Sequence, residues 1–498
     1  MRFPRSSGVL LHPTSLPGPF GIGDIGPEAF RFADWLAGAG QTVWQVLPLG
    51  PTGFGDSPYQ CFSAFAGNPL LLSPEALLAD GALTAADLEG APHFPATHVD
   101  FGPVIEWKRA LLSRAATRFA SSAPPALRAQ HDAWCAAQSS WLDDYTLFMA
   151  LKDAHGGAPW CEWAPPLRSR ESAALAAART QHAEKVAEHR FLQFAFFRQW
   201  SALRAHAHAR GLQLMGDAPI FVAYDSADVW ARPELFFLDA EGRPTVVAGV
   251  PPDYFSETGQ LWGNPLYRWD AHEREGFAWW IARVQALLAT VDRVRIDHFI
   301  GFSRYWEIPA DAPDARSGRF CPSPGHALFE AIEGALGEVA IVAEDLGVLT
   351  PEVEALRDRF AFPGMKVTQF AWGSGADNMF LPHGWNANLV AYAGTHDNDT
   401  TMGWWHQASE GERGHMQAYL GREVREPAWD LIRLCMASVA DTFVASAQDL
   451  LSLGGEARMN FPGKPAGNWS WRVREGALDD GVARRLRELT ELYDRTRR

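Results

Sequence analysis

Eight short runs of apolar and β-branched residues recur along the chain, and most of them end in a polar or acidic residue. Helical patterns, with apolar residues three or four positions apart, precede most of these runs, as at 28–39 and 279–289. Strands that alternate with helices predict a parallel sheet. The predicted strands lie at 8–12, 42–47, 212–217, 291–297, 339–344, 365–370, 389–394 and 442–447.

Eight such units favour an α/β fold of the (β/α)₈ TIM-barrel type over a doubly wound sheet. The 498 residues fit one elaborated catalytic domain, 1–498, because barrels with insertions reach this size. The longest gap between predicted strands has an Ala-rich helical pattern, which predicts an inserted, mainly helical subdomain at 76–200. Two further insertions are predicted, a cleft-covering loop region at 224–272 and a smaller one at 303–325.

Charge and cysteine content narrow the class of protein. The formal net charge is −15, from 44 Lys and Arg against 59 Asp and Glu, so the chain as a whole repels nucleic-acid phosphates and anionic membranes. The five cysteines include no Cys-x-x-Cys pair and indicate no disulfide framework. No apolar run has the length of a signal-peptide core or a membrane span. We therefore expect a cytoplasmic protein that binds neither nucleic acid nor membrane.

Three acidic residues stand at or just after predicted strand ends. Asp297 closes the fourth strand, Glu344 closes the fifth, and Asp397 follows the seventh. A barrel gathers the carboxyl ends of its strands on one face, so these carboxylates are expected to converge. One such carboxylate is as often a helix N-cap or an ion-pair partner, but three together indicate a catalytic site.

Glycoside transfer with retention uses one ionised carboxylate as nucleophile and one protonated acid about 5 Å away. Arg295 and Asp297 lie two residues apart on a strand, so both side chains point to one face, and the guanidinium keeps Asp297 ionised. Asp297 is therefore the candidate nucleophile. Glu344 is the candidate acid, with a pKa raised by the neighbouring Asp297 charge. Once Asp297 carries the glycosyl group, Glu344 can act as the base.

Two competing motifs are weaker. Residues 21–26 match Gly-x-Gly-x-x-Gly, but a Pro-Gly-Pro segment separates them from the strand, and the next strand ends without an acidic residue for a ribose. A divalent metal could use His396 with Asp399, Asp297 with His298, or Glu344 with Asp345, yet no His-x-x-x-His pair supports it. Beside Asp297, Arg295 would compete with a cation. We expect neither a metal nor a cofactor.

Longer motifs carry a family resemblance. They are His12-Pro-Thr-Ser-Leu-Pro17, Gly55-Asp-Ser-Pro-Tyr-Gln60, Ala66-Gly-Asn-Pro69, Gly216-Asp-Ala-Pro-Ile220, Gly249-Val-Pro-Pro-Asp-Tyr-Phe-Ser256, Gly259-Gln-Leu-Trp-Gly-Asn-Pro265, Arg295-Ile-Asp-His-Phe299, Ala343-Glu-Asp-Leu-Gly347, Gly394-Thr-His-Asp-Asn-Asp-Thr400 and Glu456-Ala-Arg-Met-Asn460. On these motifs the chain resembles the bacterial amylomaltases of glycoside hydrolase family 77, from near the N-terminus to about residue 472.

The resemblance implies a function as well as a fold. In that family the residues that match Asp297, Glu344 and Asp397 are the nucleophile, the acid/base and the stabiliser of the transition state. The implied activity is that of a 4-α-glucanotransferase, which passes α-1,4-glucan segments to the 4-hydroxyl of another glucan or of glucose through a covalent glycosyl-enzyme. The resemblance implies no cofactor.

The resemblance also implies a substrate-binding set. Tyr59 is expected to stack on the sugar at the cleavage point, and the loop that includes Asp253 to Trp262 is expected to cover the cleft and keep water from the glycosyl-enzyme. Phe54 and Phe461 depart from the family, whose members commonly have Tyr and a small residue such as Thr there. The implied set is Ser57, Tyr59, Asp217, Asp253, Tyr254, Phe255, Gln260, Trp262, Arg295, His298, His396 and Asn460.

The carboxylates alone leave two alternatives open. An α-amylase-type retaining hydrolase shares the barrel and the three acids. A non-catalytic glucan-binding homologue keeps the aromatic residues but loses at least one acid. The long aromatic loop favours transfer over hydrolysis, and the presence of all three acids favours an enzyme.

Overall fold

The computed structural model describes residues 2–252, 256–464 and 466–496. Within these residues the strands are β1 Ser6–Leu10, β2 Val43–Gln45, β3 Gln213–Pro219, β4 Val246–Val250, β5 Gln260–Pro265, β6 Arg293–Asp297, β7 Arg304–Pro309, β8 Arg319–Pro322, β9 Ile341–Ala343, β10 Gly364–Val367, β11 Leu389–Tyr392 and β12 Thr442–Ser446. The α-helices are α1 Pro27–Gly38, α2 Pro74–Ala79, α3 Ala85–Leu88, α4 Phe101–Ser122, α5 Pro125–Ala137, α6 Ser139–Ala154, α7 Pro165–Arg168, α8 Ser172–Gln181, α9 Ala183–Ala209, α10 Ala227–Ala231, α11 Trp269–Arg274, α12 Ala278–Thr290, α13 Gly325–Leu336, α14 Pro351–Arg359, α15 Thr401–Gln407, α16 Glu410–Leu420, α17 Pro427–Ala437, α18 Ala447–Leu450 and α19 Asp480–Leu492.

Eight parallel strands form a barrel in the order β10, β11, β12, β1, β2, β3, β6, β9. The amide of Ala343, at the end of β9, donates a hydrogen bond of 2.9 Å to the carbonyl of Pro363, directly before β10, and so joins the two outer strands of this order. Each of the eight strands overlaps one of the eight predicted runs, although the bounds differ: β1, for example, begins and ends two residues before its predicted run. The predicted (β/α)₈ fold is confirmed.

The barrel strands and their helices follow from the apolar pattern. Every residue of β1, β11 and β12 is buried, as expected for parallel strands that are covered on both faces. Helix α1 begins with Pro27 directly after Gly26, and a proline at the first helical position lacks only an amide hydrogen that has no partner there. Its buried residues share one face of the helix at helical spacing: Ala29, Phe32, Ala33 and Leu36.

Between β2 and β3 the chain carries helices α2 to α9. Phe119 of α4 stacks on Phe191 of α9, with ring centroids 4.5 Å apart. The amide group of Gln193 in α9 exchanges two hydrogen bonds of 2.8 Å with the backbone of Gly67. Helix α9 is thereby hydrogen-bonded to the segment that follows the 55–60 motif.

A second, antiparallel sheet lies outside the barrel, in the order β5, β4, β7, β8. It combines strands from the 224–272 stretch with strands from the 303–325 stretch, and the pairing of β4 with β7 joins the two. Strands of the 224–272 region, which is predicted to cover the cleft, therefore form one sheet with strands of the 303–325 region. None of the described helices has both the length and the apolar character needed to cross a membrane.

Candidate active site

The register of three neighbouring strands brings the predicted polar residues together. Arg295 of β6 pairs with Asp217 of β3, and Asp297 follows two positions later on β6. On its other side β6 pairs with β9, the strand that Glu344 follows. Because side chains alternate along a strand, Asp217, Arg295 and Asp297 point to the same face.

The guanidinium of Arg295 joins two carboxylates. Its Nη1 donates hydrogen bonds of 2.9 and 2.7 Å to the two oxygens of Asp217, and its Nη2 donates one of 2.8 Å to Asp297 Oδ1. The side chains of Arg295 and Asp217 are buried, whereas 30% of the Asp297 side chain is exposed. Burial raises the pKa of Asp217 to about 7, against the opposing charge of Arg295. Arg295 therefore presents Asp297 to the cleft as an ion-paired carboxylate.

Glu344 has a different environment. Its Oε2 accepts a hydrogen bond of 2.7 Å from the backbone amide of His298, and its Oε1 accepts one of 2.9 Å from that of Leu346. Burial, and secondly the charge of Asp297, raise the pKa of Glu344 to about 7, although Arg295 opposes the rise. The sequence attributes this rise to Asp297 alone, but burial is the larger cause. A carboxyl group with this pKa still holds its proton over much of the neutral range.

Asp397 lies in the loop after β11. Its Oδ1 accepts a hydrogen bond of 2.6 Å from Asn460 Nδ2, and its backbone carbonyl accepts one of 2.7 Å from Arg458 Nη2. Its Oδ2 lies 3.4 Å from His396 Nε2. Burial favours a higher pKa for Asp397, but His396, Asn460 and the nearby arginines outweigh it and lower the pKa. Asp397 is therefore ionised.

Tyr59 and His396 form a stacked pair beside the carboxylates. Their ring centroids are 5.3 Å apart with planes at 11°, and the Tyr59 hydroxyl forms a hydrogen bond of 2.8 Å with His396 Nε2. Burial lowers the pKa of His396, so the imidazole is neutral at pH 7. Trp469 lies 5.7 Å from the Tyr59 ring and 6.0 Å from the His396 ring. Aromatic side chains of this kind can pack on the apolar face of a sugar ring.

Two cavities meet at the carboxylates. A smaller cavity of about 310 Å³ is lined by Tyr59, Asp297 and Asp397, among others. A larger cavity of about 1190 Å³ also contains Asp297 and Asp397, and it alone of the two contains Glu344. The cleft therefore extends away from Asp297 and Asp397 on two sides.

The remaining predicted substrate-binding residues fall into two groups. Ser57 and Asn460 line the smaller cavity, and Gln260 and Trp262 of β5 line both. The ring of Trp262 meets His298 edge to face at a centroid distance of 4.9 Å. Three others, from the predicted cover of the cleft, lie outside the described residues: Asp253, Tyr254 and Phe255.

The two positions that depart from the family both line the smaller cavity. Phe54 is 78% exposed at its rim. The ring of Phe461 is half-buried and lies 4.4 Å from the guanidinium carbon of Arg458 and 4.3 Å from the ammonium nitrogen of Lys464. Neither departure touches the Arg295 ion pairs.

Two contributors to the site were missed by sequence reasoning. Arg458 stands within the 456–460 motif, but its hydrogen bond to Asp397 spans 61 positions and no local pattern signals it. Phe370 is 38% exposed in the larger cavity, at the end of the predicted sixth strand, where its apolar character marks it only as a strand residue.

The site offers little to a metal ion. Among the described residues, no three His, Cys, Asp or Glu side chains form a group that could hold one. The position beside Asp297 Oδ1 is taken by the guanidinium of Arg295.

Comparison with known proteins places this chain in a family. Residues 11–478 match the model of glycoside hydrolase family 77, described as 4-alpha-glucanotransferase. The chain is 55% identical to the 4-alpha-glucanotransferase of Thermus thermophilus, over 99% of this chain and 100% of the relative. It is 51% identical to the 4-alpha-glucanotransferase of Synechocystis sp., over 99% of this chain and 98% of the relative.

A solved structure gives the same result. The amylomaltase from Streptococcus agalactiae in complex with acarbose has a TM-score of 0.96 to this chain at 39% identity, covering 99% of this chain and 100% of that one. The chain therefore belongs to glycoside hydrolase family 77, the 4-alpha-glucanotransferases. It is an enzyme with this transferase activity, and the α-amylase-type alternative is not favoured.

Proposed function

We propose that the chain disproportionates α-1,4-glucans by a retaining double displacement on three carboxylates. Asp297 is the nucleophile, Glu344 the acid and then the base, and Asp397 stabilises the positive charge that develops at the anomeric carbon. One contrast carries the proposal. Asp297 is ion-paired with Arg295, whereas the pKa of Glu344 is raised to about 7.

In the first half-reaction an oxygen of Asp297 forms a bond to the anomeric carbon while the glycosidic bond breaks. Glu344 gives its proton to the leaving oxygen, and the shortened glucan departs. In the second half-reaction Glu344 takes the proton of an acceptor 4-hydroxyl, and that oxygen displaces Asp297. Loss of the Asp297 charge in the intermediate favours the deprotonated form of Glu344, which the second step needs.

The two cavities have different roles in this scheme. Glu344 must lie next to the leaving oxygen, so the larger cavity, which contains Glu344, is the acceptor side. The smaller cavity, with Tyr59, Ser57 and Asn460, then holds the donor segment. The acceptor is another maltooligosaccharide or glucose, and the products are a lengthened glucan and a shorter one.

The working context belongs to the same proposal. All five cysteines are free thiols, which supports a cytoplasmic enzyme, and the net charge of −15 does not favour binding to nucleic acid. We propose one catalytic domain in which 76–200 is a helical insertion, 224–272 is an insertion that covers the cleft, and 303–325 is a smaller insertion.

Trapping the covalent intermediate tests the residue roles. A maltosyl fluoride donor has a leaving group that needs no protonation, so Glu344→Gln should still be glycosylated and should accumulate an adduct on Asp297, seen by peptide mass spectrometry. Asp297→Asn should form none. Asp358→Asn, at a carboxylate that is 65% exposed, is the control and should behave as the parent does. An adduct on any residue other than Asp297 contradicts the assignment.

A further inference from the structure

Arg458 connects two loops that meet at the candidate site. Its Nη2 donates to the backbone carbonyl of Asp397 at 2.7 Å, and its Nε donates to the backbone carbonyl of Asn460 at 2.7 Å. One planar guanidinium therefore sets the distance between the loop after β11 and the segment that ends the 456–460 motif. The donors of a planar guanidinium point in fixed directions and so hold the two carbonyls in one relative orientation, whereas the donors of an ammonium can rotate.

Asn460 links the position of Arg458 to the carboxylate of Asp397. Its Nδ2 donates to Asp397 Oδ1 at 2.6 Å, and its own backbone amide donates to the carbonyl of His396 at 3.1 Å. Arg458 thus acts on Asp397 in two ways, through the backbone carbonyl of Asp397 and through the position of Asn460. His396, Arg295 and Arg458 are also the charged or titratable groups that lower the pKa of Asp397.

The guanidinium is itself held by a ring. The Arg458 guanidinium carbon lies 4.4 Å from the ring centroid of Phe461, and the ammonium of Lys464 lies 4.3 Å from the same centroid. Asn468 fixes this segment, because its Oδ1 accepts from the Phe461 amide and its Nδ2 donates to the Lys464 carbonyl, both at 2.9 Å. A guanidinium packed on an aromatic ring is attracted to it and has fewer rotamers available.

We propose that Arg458, held by the ring of Phe461, is a positioning residue that fixes the carboxylate of Asp397 for the transition state. The proposal rests on the stabilising role given above to Asp397. Arg458 touches no reacting atom in this scheme, so it acts on the rate only through Asp397 and Asn460. A displacement of about 1 Å at a stabilising carboxylate can cost on the order of 100-fold in rate.

The test compares four variants with the parent protein, all checked for folding by thermal unfolding. Arg458→Met keeps most of the side-chain volume and removes the donors, and we expect kcat/KM for maltotriose to fall about 10- to 100-fold. Arg458→Lys, with a single ammonium, should recover only part of this loss. Phe461→Leu should lower kcat/KM roughly 2- to 5-fold. Arg425→Met, at an arginine that is 81% exposed, is the matched control and should change nothing.

Two further readouts separate positioning from a general structural role. Acarbose has an unsaturated ring that resembles the flattened sugar of the transition state, so its affinity should fall by the same factor as kcat/KM. The dissociation constant of maltotriose, measured on the Glu344→Gln background, should stay within about twofold of that of the same background with Arg458 intact. A folded Arg458→Met with unchanged kcat/KM, or a rate loss with unchanged acarbose affinity, overturns the proposal.

A double-mutant cycle with Asp397→Ala separates this inference from the assignment of Asp397. With maltosyl fluoride as donor, Arg458→Met should cost little in the Asp397→Ala background, because the group that it positions is gone. An equal loss in both backgrounds refutes the inference and leaves the role of Asp397 intact. Full activity of Asp397→Ala alone refutes the role of Asp397. If Arg458→Met does not fold, Phe461→Leu must show the parallel loss of acarbose affinity, and its absence refutes the inference.

Discussion

The backbone amide of His298 donates a hydrogen bond of 2.7 Å to Glu344 Oε2. The residue that follows the proposed nucleophile therefore holds the proposed acid. His298 has left-handed backbone angles, φ 53° and ψ 49°, which non-glycine residues rarely adopt. Through this hydrogen bond, the turn at the end of β6 holds Glu344, the residue that follows β9. The positions of Asp297 and Glu344 therefore depend on one short piece of backbone.

The first prediction concerns pH. The acid role proposed for Glu344 requires its protonated form, and its raised pKa of about 7 keeps that form populated up to near-neutral pH. We expect kcat/KM for maltotriose to decline as the pH rises through about 7, because Glu344 then loses its proton. Well below that pH, loss of this proton should cause no decline. Asp297→Asn removes a charge that raises the pKa of Glu344, so the pKa should fall, as followed by carbon NMR of labelled glutamate.

A control with an activated donor tests whether Glu344 is the group that titrates near pH 7. Formation of the glycosyl-enzyme from maltosyl fluoride needs no proton from Glu344, so its rate should not show the decline near pH 7. The same decline with both donors means that another group titrates there.

The second prediction concerns the fate of the glycosyl-enzyme. Pure maltotriose should give a ladder of longer and shorter glucans plus glucose, resolved by chromatography, while the number of reducing ends stays nearly constant. Transfer conserves reducing ends because each bond that is broken is replaced by another. A steady rise in reducing ends, followed by a colorimetric assay on the same samples, would indicate hydrolysis.

The third prediction separates the ring of Tyr59 from its hydroxyl. Tyr59→Phe keeps the stacked ring beside His396 but removes the 2.8 Å hydrogen bond between them. The loss of one such bond, about 0.5–1.5 kcal/mol, should lower kcat roughly 2- to 10-fold with little change in KM. Tyr59→Ala should also raise KM, because the sugar loses an aromatic contact. Equal KM values for the two variants would argue against stacking.

The fourth prediction concerns stability away from the cleft. Lys108 is buried, and its Nζ donates to the carbonyls of Leu70 and Leu72 at 2.7 and 2.9 Å and lies 3.6 Å from Asp24. Lys108→Met leaves the Asp24 carboxyl and both carbonyls without this partner, so the free energy of unfolding should fall by about 3–5 kcal/mol in urea titrations. Adding Asp24→Asn should recover part of the loss. A loss below about 1 kcal/mol would show that the pair is dispensable.

The eight barrel strands could be predicted because most of their residues are buried and each strand contains a short apolar run, although β3 and β6 also carry the polar residues of the site. Asp297 and Glu344 could be placed at one edge for a related reason, since residues that end neighbouring parallel strands meet at the same end of a barrel. Arg295 beside Asp297 follows from strand alternation alone. These inferences use sequence patterns that span only a few residues, together with the rule that the carboxyl ends of parallel barrel strands meet on one face.

The other features of the site depend on contacts between distant parts of the chain. Tyr59 meets His396 across 337 positions, and Arg458 reaches Asp397 across 61, so neither contact leaves a periodic signal in the sequence. The sequence by itself determined the barrel and the order of its strands along the chain, and it singled out the three candidate acids. Only the tertiary structure decided how deeply Glu344 is buried, and thus that its pKa is raised chiefly by burial, because desolvation is a property of everything packed around a group.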